Sequence, residues 1–276
     1  MGRKLGQHFL TDPAILDRIV DCLDPQPDDL VLEIGPGRGT LTRRLVGRVD
    51  FVVAVEKDGE LVELLCEECR VQSAECRASV VRADALRIDW GGLLAEQTPH
   101  LVPNTRHAPF KVIGNIPYYI TSPLIDKALT PPLPERIVFL VQKEVAERLG
   151  ADPGGKTYGA LTVGVRALAD VERLFTVKRG AFNPPPAVDS AVVRLTPRKE
   201  PLVTPEELPR FRGFVQALFS RRRKQIAGIV RAVASLDLDR ARAALARADV
   251  DPTARPETLA PETIVRLFRA VSGNAG

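Results

Sequence analysis

The fold is decided by the stretch Leu30-Val31-Leu32-Glu33-Ile34-Gly35-Pro36-Gly37-Arg38-Gly39, in which a nearly continuous apolar run passes directly into three glycines. A run of this kind, without alternation of apolar and polar residues, predicts a strand that is buried on both faces. Glycines after a strand permit a sharp turn and let a ligand approach backbone N–H groups at a helix N-terminus. The stretch therefore predicts a strand–turn–helix unit of an open α/β sheet.

Similar apolar runs extend the sheet on either side of this unit. We expect further strands at residues 51–55, 79–81, 110–113 and 136–140, with crossover helices over 41–48 and 59–68 and a helix over 160–169. The runs at 171–177 and 188–195 flank the Pro-rich segment 183–186, which predicts an antiparallel pair that ends the sheet. The pattern as a whole indicates a mainly parallel sheet with a terminal antiparallel hairpin.

The C-terminal part of the chain has a different character. No strand pattern follows Pro197, and residues 206–234, 238–248 and 260–271 have helical spacing. We therefore predict two domains, a sheet domain over residues 1–196 and a small all-α domain over 197–276. Residues 197–276 carry 15 Lys and Arg against 9 Asp and Glu, a net charge of +6, whereas the first 196 residues carry 24 against 26. The basic character belongs to the helical domain.

Bulk composition excludes several classes of protein. A chain of 276 residues with 45% hydrophobic content can bury a full core, and its charge of +4 is too small to indicate a nucleic-acid partner by itself. It has no apolar run of 18 residues and no apolar signal core near its first residue, so we predict no membrane partner and a cytoplasmic location. The cysteines Cys22, Cys66, Cys69 and Cys76 lack the second ligand pair of a zinc site, so we expect free thiols and no metal.

Acidic residues follow two strands next to the glycine turn. Gly35 and Gly37 alone fit either a simple tight turn or a dinucleotide site, but the latter requires Gly or Ala where Thr40 stands. Glu56 ends the second strand, where a carboxylate can accept from a ribose diol, and Asp84 follows the third, where it can accept from an adenine amine. Each acid alone fits a helix cap or a solvated loop equally well. Together they predict an adenosine site without a phosphate-binding loop.

A further polar turn follows the fourth strand. Asn115-Ile116-Pro117-Tyr118 is ordinary turn chemistry, but its position places it at the same sheet edge as the glycines and the acids. The Asn115 side-chain oxygen and the Ile116 carbonyl can accept both hydrogens of an exocyclic amine, Pro117 stiffens the turn, and Tyr118 can stack on a base. These four residues are our candidates for the catalytic turn.

Five motifs occur together in the order typical of one family. The chain resembles the KsgA/RsmA family of small-subunit ribosomal RNA adenine dimethyltransferases over residues 3–270. The motifs are Gly6-Gln7-His8-Phe9-Leu10, Glu33 to Thr42, Asn115 to Tyr118, Phe182 to Ser190 and Phe219-Ser220-Arg221-Arg222-Arg223-Lys224.

This resemblance implies both an activity and a site. It implies a Rossmann-like class I methyltransferase fold that uses S-adenosyl-L-methionine to dimethylate N6 of two adjacent adenines in the 3′-terminal hairpin of 16S rRNA, late in assembly of the small ribosomal subunit. The family's cofactor contacts fall on His8, Leu10, Gly35, Glu56, Asp84 and Asn115, and Phe182 would face the target base opposite Tyr118. The expected partner is 16S rRNA in the pre-30S or 30S subunit, bound by a monomer.

The basic run of the helical domain is our candidate RNA-binding element. Arg221, Arg222, Arg223 and Lys224 occupy about one turn of the predicted helix, so they would fan around it. A charge run is usually a solvated face, but in a segment of net charge +6 we expect phosphate contacts that carry no sequence information.

Other functions remain open at this point. The alternative within enzymes is a 23S rRNA adenine N6-methyltransferase of the macrolide-resistance type, which has a similar Asn-x-Pro-Tyr/Phe turn. From another class, the chain could be a non-catalytic ribosome-assembly or nucleic-acid-binding scaffold. The motifs at Phe182 to Ser190 and Phe219 to Lys224 favour the small-subunit enzyme. Cofactor binding would distinguish an enzyme from a scaffold.

Overall fold

The computed structural model describes residues 8–72, 77–98 and 109–273. The chain divides into two compact units, one formed by Met1–Ala146 with Glu172–Pro197, the other by Glu147–Val171 with Arg198–Gly276. The predicted domain boundary after residue 196 lies beside the division at Pro197. The segment Glu147–Val171, which we assigned to the first domain, groups instead with the C-terminal helices.

The strands are β1 (Phe9–Leu10), β2 (Leu30–Ile34), β3 (Phe51–Glu56), β4 (Ala78–Arg82), β5 (Phe110–Asn115), β6 (Arg136–Gln142), β7 (Ala169–Val177), β8 (Phe182–Asn183) and β9 (Ser190–Pro197). The first unit is built on a seven-stranded sheet of order β4-β3-β2-β5-β6-β9-β7. Strands β2 to β6 run parallel, and β9 pairs with β6 in antiparallel fashion. A separate two-stranded sheet joins β1 to β8. The predicted sheet and its terminal antiparallel strands are confirmed.

Helices connect the strands in the usual crossover manner. They are α1 (Pro13–Leu23), α2 (Thr42–Leu45), α3 (Gly59–Gln72), α4 (Trp90–Gln97), α5 (Thr121–Ala128), α6 (Lys143–Leu149), α7 (Ala160–Arg166), α8 (Leu208–Phe219), α9 (Ile226–Ala234), α10 (Leu238–Arg247) and α11 (Pro261–Ser272). The helix predicted over 41–48 is only one turn long. It ends before Gly47, whose φ of 86° no right-handed helix contains.

Helix α1 supplies one face of the core of the first unit. Asp12 caps its N-terminus by accepting from the Ile15 backbone N–H, and Pro13 follows, as the first turn of a helix favours. The helix presents a stripe of fully buried apolar side chains to the sheet, Leu16, Ile19, Val20 and Leu23. This packing fixes the short segment between β1 and α1 beside the glycine turn.

In the second unit, the helix predicted over residues 206–234 is two helices. Helix α8 ends at Phe219 and α9 begins at Ile226, so Arg221 to Lys224 lie in a turn and not on a helix. The first backbone N–H groups of α9, those of Ile226 and Ala227, donate to the carbonyls of Ala254 and Pro252. Residues 220–225, which separate the two helices, contain neither Pro nor Gly. Contacts made by the folded unit therefore override the helical propensity of these residues.

Candidate active site

A cavity of about 290 Å³ opens at the carboxyl ends of β2, β3 and β5. All predicted cofactor residues line it, together with the four residues of the catalytic turn: His8, Leu10, Gly35, Gly37, Glu56, Asp84, Asn115, Ile116, Pro117 and Tyr118. Phe9, Lys57 and Tyr119 also line it, and we did not select them from the sequence as site residues. Phe9 lies inside the first family motif, and Lys57 and Tyr119 each lie next to a selected residue, which was their only sequence signal.

The glycine turn forms one wall of the cavity. Gly35 and Gly37 have φ values of 66° and 59°, a region that residues with a Cβ rarely adopt. A Cβ on Gly37 would also lie 3.1 Å from the Phe9 ring, so the first strand packs closely over the turn. Both glycines are therefore required by the backbone path, and the wall they form is backbone.

Glu56 is held rigidly beside this turn. It is 7% exposed, and its Oε1 accepts from the backbone N–H groups of Lys57 and Asp58 at 2.8 and 2.9 Å. Its Oε2 accepts from the Gly37 N–H at 3.2 Å. A carboxylate offers about four acceptor positions, so the group can still accept from a ligand. Its orientation is set before any ligand arrives.

Asp84 lies at the end of the neighbouring strand. Its Oδ1 accepts from the Leu86 N–H at 3.1 Å, and its Oδ2 accepts from Lys57 Nζ at 2.9 Å. The hydrogen bond from Lys57 lowers the pKa of the Asp84 carboxyl below its usual value, assisted by the bond from Leu86. Asp84 is therefore a carboxylate at neutral pH and can accept from an amine.

The side-chain amide of Asn115 has a defined orientation. Its Nδ2 donates to the His8 carbonyl at 3.1 Å. A carbonyl can only accept, so the NH₂ end of the amide must face it, and Oδ1 is the end left to accept from a ligand. The Ile116 side chain is 1% exposed and the Ile116 N–H donates to the Leu140 carbonyl at 3.1 Å, which anchors the turn to β6. The amide oxygen is thus held at a fixed point in the cavity wall.

Aromatic rings stand beside this acceptor. The rings of His8 and Tyr118 are near-parallel, with centroids 6.2 Å apart and an angle of 28° between the ring planes. The Tyr118 hydroxyl shares a hydrogen bond of 2.8 Å with the Ser190 hydroxyl, and His8 Nδ1 lies 2.8 Å from the Pro184 carbonyl. Burial raises the pKa of Tyr118 above its usual value, so the group stays neutral. Both rings are held by residues that are not among those lining the cavity.

Phe182, predicted to face the target base, is a buried residue of β8. It is 4% exposed in β8, paired with Leu10 of β1, and belongs to the apolar core that contains Leu16 and Val192. It is not among the residues that line the cavity. The expectation that Phe182 faces the base opposite Tyr118 stays a prediction. A Phe in one of two short paired strands packs in the core, as burial statistics for this side chain favour.

Glu33 is a buried acid behind the glycine turn. It is 1% exposed, its Oε2 accepts from the Thr42 hydroxyl at 2.7 Å, and its Oε1 has no hydrogen-bond partner among the residues that the structure describes. Burial raises the pKa of Glu33 to about 7, and the Thr42 hydroxyl opposes this rise only in part. Because the folded-state pKa exceeds the unfolded value, the folded state favours the neutral acid.

This arrangement predicts a pH dependence of stability. Below about pH 4.5, Glu33 is protonated in both the folded and the unfolded state, so there is no cost of ionisation. As the pH rises to about 7, ionisation favours the unfolded state and the free energy of unfolding falls by about 3 kcal/mol in all. Glu33→Gln removes this ionisation. Urea unfolding of both proteins at several pH values should show the variant gaining stability relative to the parent between pH 4.5 and 8. If the difference in free energy of unfolding between the variant and the parent did not change with pH, Glu33 would stay either charged or protonated over the whole pH range.

The predicted RNA-binding cations lie in the second unit and are not equivalent. Arg221, Arg223 and Lys224 are exposed. Arg222 is partly buried, and its Nε donates to Glu257 Oε2 at 2.7 Å. Its guanidinium also reaches the Lys156 carbonyl at 3.4 Å. Arg222 therefore holds the turn within its own unit, and the other three cations are the ones presented to solvent.

The described residues show neither a metal-binding cluster nor a membrane-spanning helix. Within residues 8–72, 77–98 and 109–273, no group of three or more His, Cys, Asp or Glu side chains could hold a metal ion. Cys22 and Cys66 are free cysteines, while Cys76 lies outside the described residues. No helix in these ranges is both long and apolar enough to cross a membrane.

Comparison with known proteins identifies the class and then the family. The parallel sheet with its antiparallel end and a ligand cavity at the strand ends define a Rossmann-like methyltransferase fold, which is also that of the similar solved structures. The family model described as "Ribosomal RNA adenine dimethylase" matches residues 1–271. The chain belongs to the ribosomal RNA adenine dimethylase family, a family of methyltransferases that use a methyl donor and act on rRNA. The resemblance inferred from the sequence motifs is confirmed.

Three relatives illustrate the range of this similarity. Ribosomal RNA small subunit methyltransferase A of Synechococcus elongatus is 40% identical over 96% of this chain and 93% of its own. The crystal structure of a dimethyladenosine transferase from Plasmodium falciparum has a TM-score of 0.80 at 27% identity, covering 94% of this chain and 96% of its own. That of the 23S rRNA methyltransferase ErmE has a TM-score of 0.71 at 32% identity, covering 96% and 99%.

Proposed function

We propose that this chain transfers methyl groups from S-adenosyl-L-methionine to N6 of two adjacent adenines in the 3′-terminal hairpin of 16S rRNA, late in assembly of the small subunit. The observation that carries the proposal is the oriented amide of Asn115, whose oxygen is left to accept in the wall of the cavity. An acceptor fixed in this way fits an amine substrate. The turn that carries Asn115 also brings the aromatic ring of Tyr118 to the cavity.

The donor set of the cavity fits an adenosine-containing cofactor. Glu56 would accept from the two ribose hydroxyls, since three backbone N–H groups already hold its carboxylate in place. Asp84, a carboxylate at neutral pH, would accept from the adenine amine of the cofactor. The backbone of Gly35 and Gly37 would lie against its amino-acid end, and Leu10 of β1 and His8, which precedes β1, would cover it. When bound, S-adenosyl-L-methionine supplies an activated methyl group on a sulfonium.

The catalytic turn would act on the target adenine. The lone pair of adenine N6 is delocalised into the ring, which makes the amine a poor nucleophile. Asn115 Oδ1 and the Ile116 carbonyl would accept the two N6 hydrogens and hold the nitrogen with its lone pair toward the donor. Tyr118 would stack on the base, and Pro117 keeps the turn stiff. The proton can leave to water after transfer, so the turn needs no strong general base.

The choice of the small subunit rests on the names of the relatives. The relative from Synechococcus elongatus, 40% identical, is named for the small subunit, whereas the large-subunit enzyme ErmE is 32% identical. The similarity to ErmE makes the macrolide-resistance type the second candidate. We also propose that the chain acts in the cytoplasm on the pre-30S or 30S subunit, and that it acts as a monomer, since the candidate site residues of the described cavity all come from one chain.

We further propose that the sheet domain binds the cofactor and the C-terminal domain binds RNA. Arg221, Arg223 and Lys224 would contact phosphates, since they are exposed in a region of net positive charge. Arg222, one of our four original candidates, would act through the turn it stabilises with Glu257. Substrate identity would then come from RNA shape and an extruded adenine.

Removing the exposed cations should weaken RNA binding in a salt-dependent way. We expect the variant Arg221→Ala/Arg223→Ala/Lys224→Ala to flatten the slope of log affinity against log salt concentration by roughly 0.7 to 0.9 per lost contact. Binding to 30S subunits, measured by filter retention at several salt concentrations, gives this slope. Arg222→Ala is the matched control and should lower the melting temperature with a smaller change of slope. A triple variant with the parent's slope would remove these residues from the RNA-binding surface.

Transfer of labelled methyl groups tests the substrate. The chain is incubated with tritiated S-adenosyl-L-methionine and either under-methylated 30S subunits or RNA from 50S subunits. We expect label only in the small-subunit RNA. Label in the large-subunit RNA would favour the macrolide-resistance type, and cofactor binding without any transfer would favour a scaffold.

A further inference from the structure

Tyr119 is an exposed aromatic residue at the cavity. It lines the cavity wall, yet it is 64% exposed, and no other large hydrophobic side chain in the described residues is as exposed. Its neighbours anchor the turn without it, since Ile116 is 1% and Thr121 is 2% exposed. The core therefore does not require an aromatic ring at this position.

The local backbone explains how one turn presents two different tyrosines. Tyr118–Ile120 forms a short 3-10 helix, in which successive side chains point about 120° apart. The Tyr118 hydroxyl is bound to Ser190, so this ring stays within the cavity wall. The next ring, that of Tyr119, contributes to the same wall while most of its surface faces solvent. Tyr119 therefore lies at the rim of the cavity.

A rim position suits the nucleotide next to an extruded base. If one adenine enters the cavity, its covalently linked neighbour must remain at the entrance with at least one face unstacked. Exposed aromatic side chains bind such bases by stacking, which tolerates any base because every base has a π face. His8, Tyr118 and Tyr119 together make this side of the cavity aromatic.

We propose that Tyr119 stacks on the nucleobase adjacent to the target adenine and so holds the second adenine at the entrance while the first occupies the cavity. This inference rests on the proposed function and extends it to a second base-binding position. Tyr119 would contact the RNA and not the cofactor. It would lower the KM for RNA with little effect on the affinity for S-adenosyl-L-methionine.

The test combines variants of Tyr119 with a change in the RNA. Tyr119→Leu removes the aromatic ring but keeps an apolar side chain, and Tyr119→Phe keeps the ring. The substrates are 30S subunits reconstituted with 16S RNA that carries either both target adenines or an abasic nucleotide in place of one of them. The measurements are kcat/KM for transfer to the remaining adenine and the Kd of S-adenosyl-L-methionine by calorimetry.

We expect Tyr119→Leu to lower kcat/KM about tenfold on intact RNA, and Tyr119→Phe to retain the parent value, as loss of one stacked base predicts. On abasic RNA, the kcat/KM of the parent should fall to the value that Tyr119→Leu has on intact RNA. The kcat/KM of Tyr119→Leu should be little lower on abasic RNA than on intact RNA. The proposal would be overturned if the loss of kcat/KM caused by Tyr119→Leu and the loss caused by the abasic nucleotide multiplied when the two changes are combined. A tenfold change in the Kd of the cofactor would also overturn it. If the parent methylates neither RNA, the proposed function itself fails; if it methylates both without coupling to Tyr119, only this inference fails.

Discussion

Replacing Asn115 with Ala is expected to lower kcat for methyl transfer by about 10²- to 10³-fold, the size of effect seen when one preorganised polar group is removed from an active site. The amide oxygen is fixed in the wall of the cavity because Nδ2 donates to the His8 carbonyl. In the proposed mechanism its loss would leave one N6 hydrogen without an acceptor, so the nitrogen would no longer be held with its lone pair toward the methyl group. Single-turnover transfer to 30S subunits measures this step.

Asn115→Asp is the matched variant. It keeps an oxygen acceptor but loses the N–H that donates to His8, so we expect about tenfold more activity than Asn115→Ala retains. The affinity for S-adenosyl-L-methionine, measured by calorimetry, should change far less than kcat in both variants. A drop in kcat of less than tenfold in Asn115→Ala would show that this amide does not hold the reacting amine.

Replacing Lys111 with Ala is expected to lower the free energy of unfolding by about 3 to 5 kcal/mol, the usual cost of removing one partner from a buried ion pair. Lys111 Nζ donates to Asp29 Oδ2 at 2.6 Å and to the Asp24 carbonyl at 2.7 Å. The two charged side chains are only 7% and 12% exposed. Without Lys111, the Asp29 carboxylate is left buried, and the end of α1 loses its link to β5.

The exposed pair of Arg77 and Asp50 provides the control for this prediction. Its N–O distance is also 2.6 Å, but Arg77 is 61% exposed, so Arg77→Ala should cost no more than about 1 kcal/mol. Urea unfolding of both variants gives the comparison. Lys111→Met with Asp29→Asn should recover most of the loss, because both charges are then removed together. Equal small losses in Lys111→Ala and Arg77→Ala would contradict the assigned role of burial.

Much of the sheet could be predicted from local sequence because its central strands β2, β3, β5 and β6 are buried on both faces. The run at Leu30–Ile34 is found with the predicted bounds, and Phe51–Glu56 extends its prediction by one residue. The site residues Glu56, Asp84 and Asn115 could be placed together because the carboxyl ends of parallel strands share one edge of a sheet. Their chemical roles stay predictions.

What could not be predicted depends on contacts between distant residues. The break between α8 and α9 arises because Ala254 and Pro252 accept the first N–H groups of α9, and no residue in 220–225 signals it. Phe182 is buried because β8 pairs with β1, two strands of two residues each that leave no periodic pattern. Lys57 and Tyr119 contribute to the cavity through their positions beside Glu56 and Tyr118. Sequence motifs predicted many of the residues that line the cavity, and the fold of the chain determines which neighbouring residues complete the lining.

Nucleoside mass spectrometry of the methylated RNA tests the central claim most directly. Under-methylated 30S subunits are incubated with the chain and S-adenosyl-L-methionine, and the small-subunit RNA is digested to nucleosides. We predict N6,N6-dimethyladenosine, two residues per subunit at adjacent positions, and none with Asn115→Ala over the same time. A product that is only monomethyladenosine, or a methyl group on any atom other than adenine N6, would contradict the proposed function.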